Sequence, residues 1–271
     1  MKRIVAMQDL SCLGKCSLTV ILPVISAMGV ECAVLPTAVL STHTAFPSPA
    51  VTGLSDFASQ VMDHWNTIGA TFDGILTGYL ANPDQVRLAE RLMEDFAGEH
   101  TKIIVDPAMG DHGKLYAGLP EEMIPAMASL CRRADLCLPN LTEGALMAGF
   151  TPEDRADPDY CRMIAHGLLA QGCKGVLLTG AEPEPGKLGF FYADQEREFC
   201  TGIHRIPRSC HGTGDLFAAV VAGGLIRGLT PEQSGEIAME LIVRSIKGTG
   251  ADSRWGVAFE GELAWLAGAM G

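Results

Sequence analysis

The sequence has no Cys-x-x-Cys pair, and its nine cysteines are an odd number without the spacing of a metal site. We therefore expect neither a disulfide framework nor structural zinc, and the thiols favour a reducing cytoplasm. No apolar run approaches the ~20 residues that a membrane-spanning helix needs. Residues 18–28 are apolar but contain Pro23, and Asp9 and Lys15 precede them, which favours a buried helix over a signal peptide. We expect a soluble protein.

Basic residues are also few, since 20 lysines and arginines face 32 acidic residues for a formal charge of −12. An acidic surface repels phosphate backbones and argues against nucleic acid as a partner. Hydrophobic residues make up 48% of the chain, which argues against disorder and supplies a large core. No repeat or Gly/Ser linker divides the sequence, so we predict one domain over residues 1–271.

Short apolar runs alternate with helical patterns along the chain. We predict strands over residues 3–7, 31–36, 72–77, 102–105, 136–138 and 175–178, and an antiparallel pair over 188–192 and 198–201. Helices are predicted over residues 17–28, 54–68, 82–97, 214–227, 231–247 and 260–267. This alternation predicts an α/β fold with a mostly parallel sheet covered by helices on both faces.

Polar residues follow the predicted strands at their carboxyl ends. They are Asp9, Tyr79, Asp106, Asn140, Glu143 and Thr179. Each alone could be a helix cap or a turn residue. Because ligands of open α/β sheets bind beyond the carboxyl ends of the strands, we expect these residues to share one rim.

Residues 212–215, Gly-Thr-Gly-Asp, open a helix of small and apolar residues. A helix N-terminus with glycines suits an anion, and a carboxylate in its first turn could take a proton from an attacking hydroxyl. The alternative is a glycine turn in which Asp215 complements the helix dipole, and a four-residue match alone favours that alternative.

The motif is accompanied by five further blocks in order. They are Ile-Val-Ala-Met-Gln-Asp at 4–9 with Gly14, Leu-Ser-Thr-His-Thr at 40–44, Thr-Gly-Tyr-Leu at 77–80, Asp-Pro-Ala-Met-Gly-Asp at 106–111 with Gly-Lys-Leu-Tyr at 113–116, and Pro-Asn-Leu-Thr-Glu at 139–143. Together they resemble the pyridoxal/pyridoxamine kinase branch of the ribokinase superfamily over nearly the whole chain. The resemblance implies a ribokinase-like three-layer α/β/α fold and ATP-dependent phosphorylation of a vitamin B6 hydroxymethyl group.

The resemblance also implies roles for individual residues. Asp215 would be the base, and Gly212, Thr213 and Gly214 would stabilise the transferring phosphate. Magnesium would be organised by Asp111 and Glu143, and the loop after Gly110 would close over the phosphates. The nucleotide region would include Asp106, Asn140, Thr179 and Gly180, without a Walker-type loop. The ring would be held by Asp9, His43, Thr44 and Tyr79. A homodimer is implied by analogy, and a monovalent cation is left open.

Two positions depart from the branch, which usually has Ser where this chain has Asp9 and Asn where it has Thr42. A carboxylate at the ring could pair with an aminomethyl group, so we expect pyridoxamine to be used at least as well as pyridoxal. Cys210 and His211 are interpreted as packing or loop residues. The alternatives are a hydroxymethylpyrimidine kinase and a non-catalytic binder of a B6 vitamer or nucleotide.

Overall fold

The computed structural model describes residues 1–271, which divide into two compact units. The first unit comprises Met1–Gly78, Arg91–Lys102 and Ile206–Gly271, and the second comprises Tyr79–Glu90 and Ile103–Arg205. The single domain predicted from the sequence stays a prediction.

Strands and helices alternate along most of the chain. The strands are β1 Arg3–Ser11, β2 Glu31–Leu40, β3 Val51–Gly53, β4 Gly74–Thr77, β5 Lys102–Val105, β6 Gly110–Asp111, β7 Lys114–Leu115, β8 Leu136–Cys137, β9 Gly175–Ala181, β10 Lys187–Asp194 and β11 Glu198–His204. The helices are α1 Leu18–Ala27, α2 Ser55–Thr67, α3 Pro83–Phe96, α4 Met123–Arg133, α5 Leu141–Ala148, α6 Pro158–Ala170, α7 Thr213–Ile226, α8 Pro231–Gly248 and α9 Leu263–Ala269, with a 3₁₀ turn at Glu260–Glu262.

The first unit is built on strands in the order β4-β1-β2-β3. β1 runs parallel to β2 and β4, and β3 pairs antiparallel with β2. Side chains from Ile4 to Met7 are all fully buried. Because successive side chains of a strand point to opposite faces, β1 is covered on both faces. α1 packs on β1 and β2 and against α7, which in turn packs on α8.

The second unit has the strand order β5-β8-β9-β10-β11. β5, β8 and β9 run parallel, and β10 pairs antiparallel with both β9 and β11. α5 and α6 pack against each other and on β9. A separate two-stranded hairpin joins β6 and β7. The predicted α/β fold, its mostly parallel strands and its antiparallel pair are confirmed.

Several element bounds differ from the prediction. β1 runs to Ser11, whereas the prediction ended it at residue 7. Gln8 and Asp9 are polar residues, which are typical of a strand end, but here they are only 2% and 5% exposed and continue the strand. Three helices that the sequence reading left out, α4, α5 and α6, lie between β7 and β9. The predicted helix 260–267 is instead a 3₁₀ turn followed by α9. No helix is both long enough and apolar enough to cross a membrane.

Candidate active site

The N-terminus of α7 has the form of an anion site. Gly212 precedes the helix with φ 83°, a left-handed conformation that suits glycine. The first backbone N–H groups of a helix have no partner within the helix, so they can bind an anion. Every residue from Leu216 to Gly224 is buried, which holds this end of the helix in place. Asp215 is the third helical residue and is half-buried.

The Asp215 carboxylate lies against the loop that connects β1 to α1. The backbone N–H of Ser17 and the thiol of Cys16 face it and stabilise its charge, and the Asp9 carboxylate is close enough to repel it. Desolvation raises the pKa of Asp215 to about 6, and the negative charge of Asp9 adds to the rise. A carboxyl group with this pKa can accept a proton near neutral pH.

Asp9 is buried among hydroxyl groups. Ser17 donates to Oδ1 over 2.6 Å, and Ser11 Oγ lies 3.4 Å from Oδ2. Burial raises the pKa of Asp9, and these hydrogen bonds oppose the rise. The structure thus brings Asp9 and Asp215 together in the first unit, with Ser17 in contact with both.

His43 is 3% exposed and lies in an aromatic cluster. Its ring centroid is 4.9 Å from that of Phe46 and 5.0 Å from that of His211. Its Nε2 lies 3.0 Å from the carbonyl oxygen of Arg254, which can only accept, so Nε2 carries a proton. Nδ1 is buried without a partner. Burial and the neighbouring His211 lower the pKa of His43, so the ring is neutral at pH 7.

In the second unit, Glu143 is an acceptor for backbone N–H groups. Its Oε1 accepts from Met109 over 3.0 Å and from Gly110 over 3.3 Å, and its Oε2 accepts from Asn140 over 2.9 Å. The residue is only 2% exposed. Burial raises the pKa of Glu143, the charge of Asp111 adds to the rise, and the backbone donors oppose it.

Asn140 caps the N-terminus of α5 and links three segments. Its Oδ1 accepts from the Glu143 N–H over 2.9 Å, which completes a capping box, and its Nδ2 donates to the Gly110 carbonyl over 2.8 Å. Asn140 also forms a parallel bridge with Thr179, near the end of β9. Gly180 follows with φ 90°. Asn140, Glu143 and Thr179 therefore lie together, as the sequence pattern predicted for this part of the rim.

Asp111 lies in the exposed hairpin of β6 and β7. His112 and Gly113 form its turn with φ 51° and 77°, and Gly113 N donates to Thr142 Oγ1 over 2.9 Å. Asp111 Oδ1 accepts from the His112 N–H over 2.7 Å. No three His, Cys, Asp or Glu side chains come together as a metal cage.

The other predicted residues lie at strand ends or in loops. Asp106 directly follows β5 and is half-buried, and Tyr79 lies two residues after β4 and is half-buried. Thr44 is exposed in the turn after His43. Sequence reasoning missed the contacts that Cys16 and Ser17 make with Asp215. Their position at the start of the helix predicted over residues 17–28 was the only signal, and it does not indicate a carboxylate partner.

The chain matches known proteins along most of its length. The family model for phosphomethylpyrimidine kinase matches residues 22–257. The crystal structure of pyridoxal kinase from Lactobacillus plantarum is 32% identical with a TM-score of 0.91, covering 99% of this chain and 97% of that chain. A Bacteroides thetaiotaomicron protein assigned as a phosphomethylpyrimidine kinase, solved with pyridoxal, is 31% identical with a TM-score of 0.92, covering 98% and 95%.

A relative found by sequence comparison points to the same group of kinases as these structures. The pyridoxine/pyridoxal/pyridoxamine kinase of Bordetella avium (strain 197N) is 29% identical over 256 residues, which cover 90% of this chain and 84% of the relative. The resemblance to pyridoxal kinases and the ribokinase-like fold are thereby confirmed. This chain is a kinase and belongs to the phosphomethylpyrimidine kinase family.

Proposed function

We propose that this kinase transfers the γ-phosphate of ATP to the 5′-hydroxymethyl group of pyridoxal, pyridoxamine or pyridoxine. The observation that carries the proposal is the position of Asp215, a carboxyl with a pKa raised to about 6 in the first turn of α7. The likeness to pyridoxal kinases supports the choice of acceptor.

Asp215 is the base in this proposal. It takes the proton of the hydroxymethyl group while the hydroxyl oxygen forms a bond to the γ-phosphorus. The bond from that phosphorus to the β–γ bridging oxygen breaks, and ADP leaves. The backbone N–H groups of Gly212, Thr213 and Gly214 stabilise the charge on the transferring group, because N–H groups at a helix N-terminus have no partner within the helix.

Residues of the second unit bind the nucleotide and its magnesium. Glu143 has its oxygens occupied by backbone donors, and Asp111 is exposed, so protein groups alone do not enclose a metal. This donor set fits Mg²⁺, which keeps several waters and takes further ligands from phosphates. When bound, the ion neutralises charge on the phosphate oxygens. Asp106, Asn140, Thr179 and Gly180 support the nucleotide phosphates.

The vitamin ring is assigned to His43, Thr44 and Tyr79, with Asp9 as a further predicted contact. Tyr79 offers both an aromatic face and a hydroxyl group to such a ring. By analogy with the branch, we extend the proposal to a homodimer that works in the cytoplasm.

A hydroxymethylpyrimidine (phosphate) kinase is the second candidate, favoured by the family model for phosphomethylpyrimidine kinase and by the Bacteroides relative assigned as a phosphomethylpyrimidine kinase. Both acceptors carry a hydroxymethyl group on a ring, so the base and the anion site serve either reaction. Measuring ATP consumption with the three B6 vitamers and with hydroxymethylpyrimidine separates the candidates. A kcat/KM higher for hydroxymethylpyrimidine than for every vitamer would overturn the first assignment.

The same assay tests the base. Asp215→Asn should lower kcat by about 10²–10⁴-fold with little change in vitamer affinity. Asp56→Asn, an exposed carboxyl in α2, serves as the control. Turnover retained by Asp215→Asn would refute the base assignment. Binding of vitamers by the parent without any turnover would favour a non-catalytic binder.

A further inference from the structure

We propose that Asp9 is a positioning residue for Asp215 and that it acts through Ser17. The inference rests on the proposed function, because it takes Asp215 as the base. It assigns Asp9 a role different from the ring contact predicted from the sequence, and the two roles can be separated by experiment.

Ser17 joins the two carboxylates with different atoms. Its backbone N–H faces the Asp215 carboxylate, and its side-chain hydroxyl donates to Asp9 Oδ1 over 2.6 Å. The hydrogen bond to Asp9 has the length expected for a hydroxyl donor and a charged acceptor, about 2.5–2.7 Å. Because the two donors belong to one residue, the orientation of the N–H toward Asp215 depends on how the side chain is held.

The backbone of Ser17 needs such support. It has φ 53° and ψ −132°, and positive φ is unfavourable for a residue with a β-carbon. Holding a residue in a sparsely populated conformation costs about 1–3 kcal/mol. The next residue, Leu18, begins α1, and the Ser17 carbonyl accepts from the N–H groups of Val20 and Ile21 over 2.9 and 3.0 Å. The strained residue therefore lies where the helix begins and where the proposed base is held.

Asp9 is suited to stabilise this conformation. It is 5% exposed on a strand that is buried on both faces, so its position is rigid. Its second oxygen, Oδ2, faces the Ser11 hydroxyl at 3.4 Å. Both carboxylate oxygens thus have protein partners, which leaves the carboxylate little freedom to turn toward a ligand.

The negative charge of Asp9 has a second effect on the proposed base. Ionisable groups that lie against Asp215 are Asp9 on β1 and Cys16 in the loop before α1. Repulsion from Asp9 makes Asp215 a stronger proton acceptor, whereas the Cys16 thiol stabilises its ionised form. A neutral residue at position 9 removes the repulsion.

The test is a double-mutant cycle that uses glycine as a rescue. Asp9→Ala should lower kcat about tenfold or more while KM for the vitamer stays within about twofold. Ser17→Gly removes the hydroxyl but tolerates positive φ. In the Ser17→Gly background, Asp9→Ala should therefore cost less than about threefold in kcat. Ser26→Ala, an exposed serine of α1, is the control for the serine change.

Asp9→Asn provides a second readout that does not depend on losing the hydrogen bond. Its side-chain oxygen can still accept from Ser17, but the charge is gone, so the acid limb of the kcat/KM pH profile should move to lower pH. Urea unfolding of each variant checks that it is folded, and Asp9→Asn keeps the test available if Asp9→Ala does not fold.

The outcomes separate the hypotheses. Equal losses from Asp9→Ala in both backgrounds, or an unmoved acid limb in Asp9→Asn, would overturn this inference. A raised KM with a changed ratio of pyridoxamine to pyridoxal use would assign Asp9 to the ring instead. No turnover by the parent with any vitamer or hydroxymethylpyrimidine would overturn the proposed function, and this inference with it.

Discussion

The backbone N–H of Lys15 donates to the carbonyl oxygen of Trp255 over 2.9 Å, which ties the loop before α1 to the loop after α8. The carbonyl oxygen of Lys15 lies against the α-carbons of both Gly212 and Gly256. Val257 N also donates to the His211 carbonyl over 3.0 Å. Backbone contacts among three loops therefore hold the segment that leads into the proposed base.

Gly256→Ala should disturb this arrangement. Gly256 has φ 96°, and a β-carbon there would lie 2.7 Å from the Lys15 carbonyl oxygen. Gly228→Ala is the matched control, because Gly228 has φ 90° with open space around it. The control should lose about 1–3 kcal/mol of unfolding free energy from strain alone.

Gly256→Ala should lose about 1–3 kcal/mol more than Gly228→Ala, because it adds overpacking to the same strain. Urea denaturation of both variants measures the difference. Equal losses would mean that the loops move apart at little cost, and that the contact with Lys15 does not hold them.

Glu143→Gln tests the buried carboxylate of the second unit. The glutamine amide group has one oxygen, so it cannot accept from Met109 and Gly110 on one side and from Asn140 on the other. We expect a loss of about 1–3 kcal/mol in unfolding free energy, since at least one buried N–H is left without an acceptor. Glu236→Gln, an exposed residue of α8, should show almost no change. A Glu143→Gln variant as stable as the parent would argue that water replaces the lost acceptor.

The pH dependence of catalysis follows from the raised pKa of Asp215. A base must be deprotonated to act, so kcat/KM should reach its plateau about one pH unit above the pKa of about 6 and fall as the pH drops through that value. The fall should approach tenfold per pH unit. Steady-state kinetics from pH 4.5 to 8 with a saturating nucleotide measure the profile. An acid limb near the usual pKa of aspartate, about 3.9, would contradict the desolvated environment.

His43 should remain neutral in the pH range in which an ordinary histidine begins to take up a proton. Its pKa is lowered by burial and by His211, so its protonation moves below the usual value of about 6.5. ¹⁵N NMR of the imidazole at pH 7 should show the proton on Nε2, where the Arg254 carbonyl accepts it. Between the folded and unfolded pKa values the unfolded chain binds the extra proton, so this group favours unfolding as the pH falls. A proton on Nδ1 would contradict the hydrogen bond to Arg254.

Much of the fold could be predicted from local patterns. β5 was predicted with its observed bounds, and the antiparallel pair of β10 and β11 was predicted with shorter strands than the structure has. α5 was missed because it has only eight residues and is buried on most of its surface, so it shows no polar face. α6 was missed although Asp157 caps it and Pro158 opens it, a pattern that indicates a helix start.

By itself, the sequence determined the α/β alternation and the carboxylate in the first turn of α7. These features depend on the spacing of residues along the chain, which the sequence shows directly. Only the tertiary structure decided that Asp9 and Asp215 share Ser17, and that Glu143 accepts from the Met109 and Gly110 amides. Such contacts join segments distant in sequence and depend on burial, which no local pattern reports.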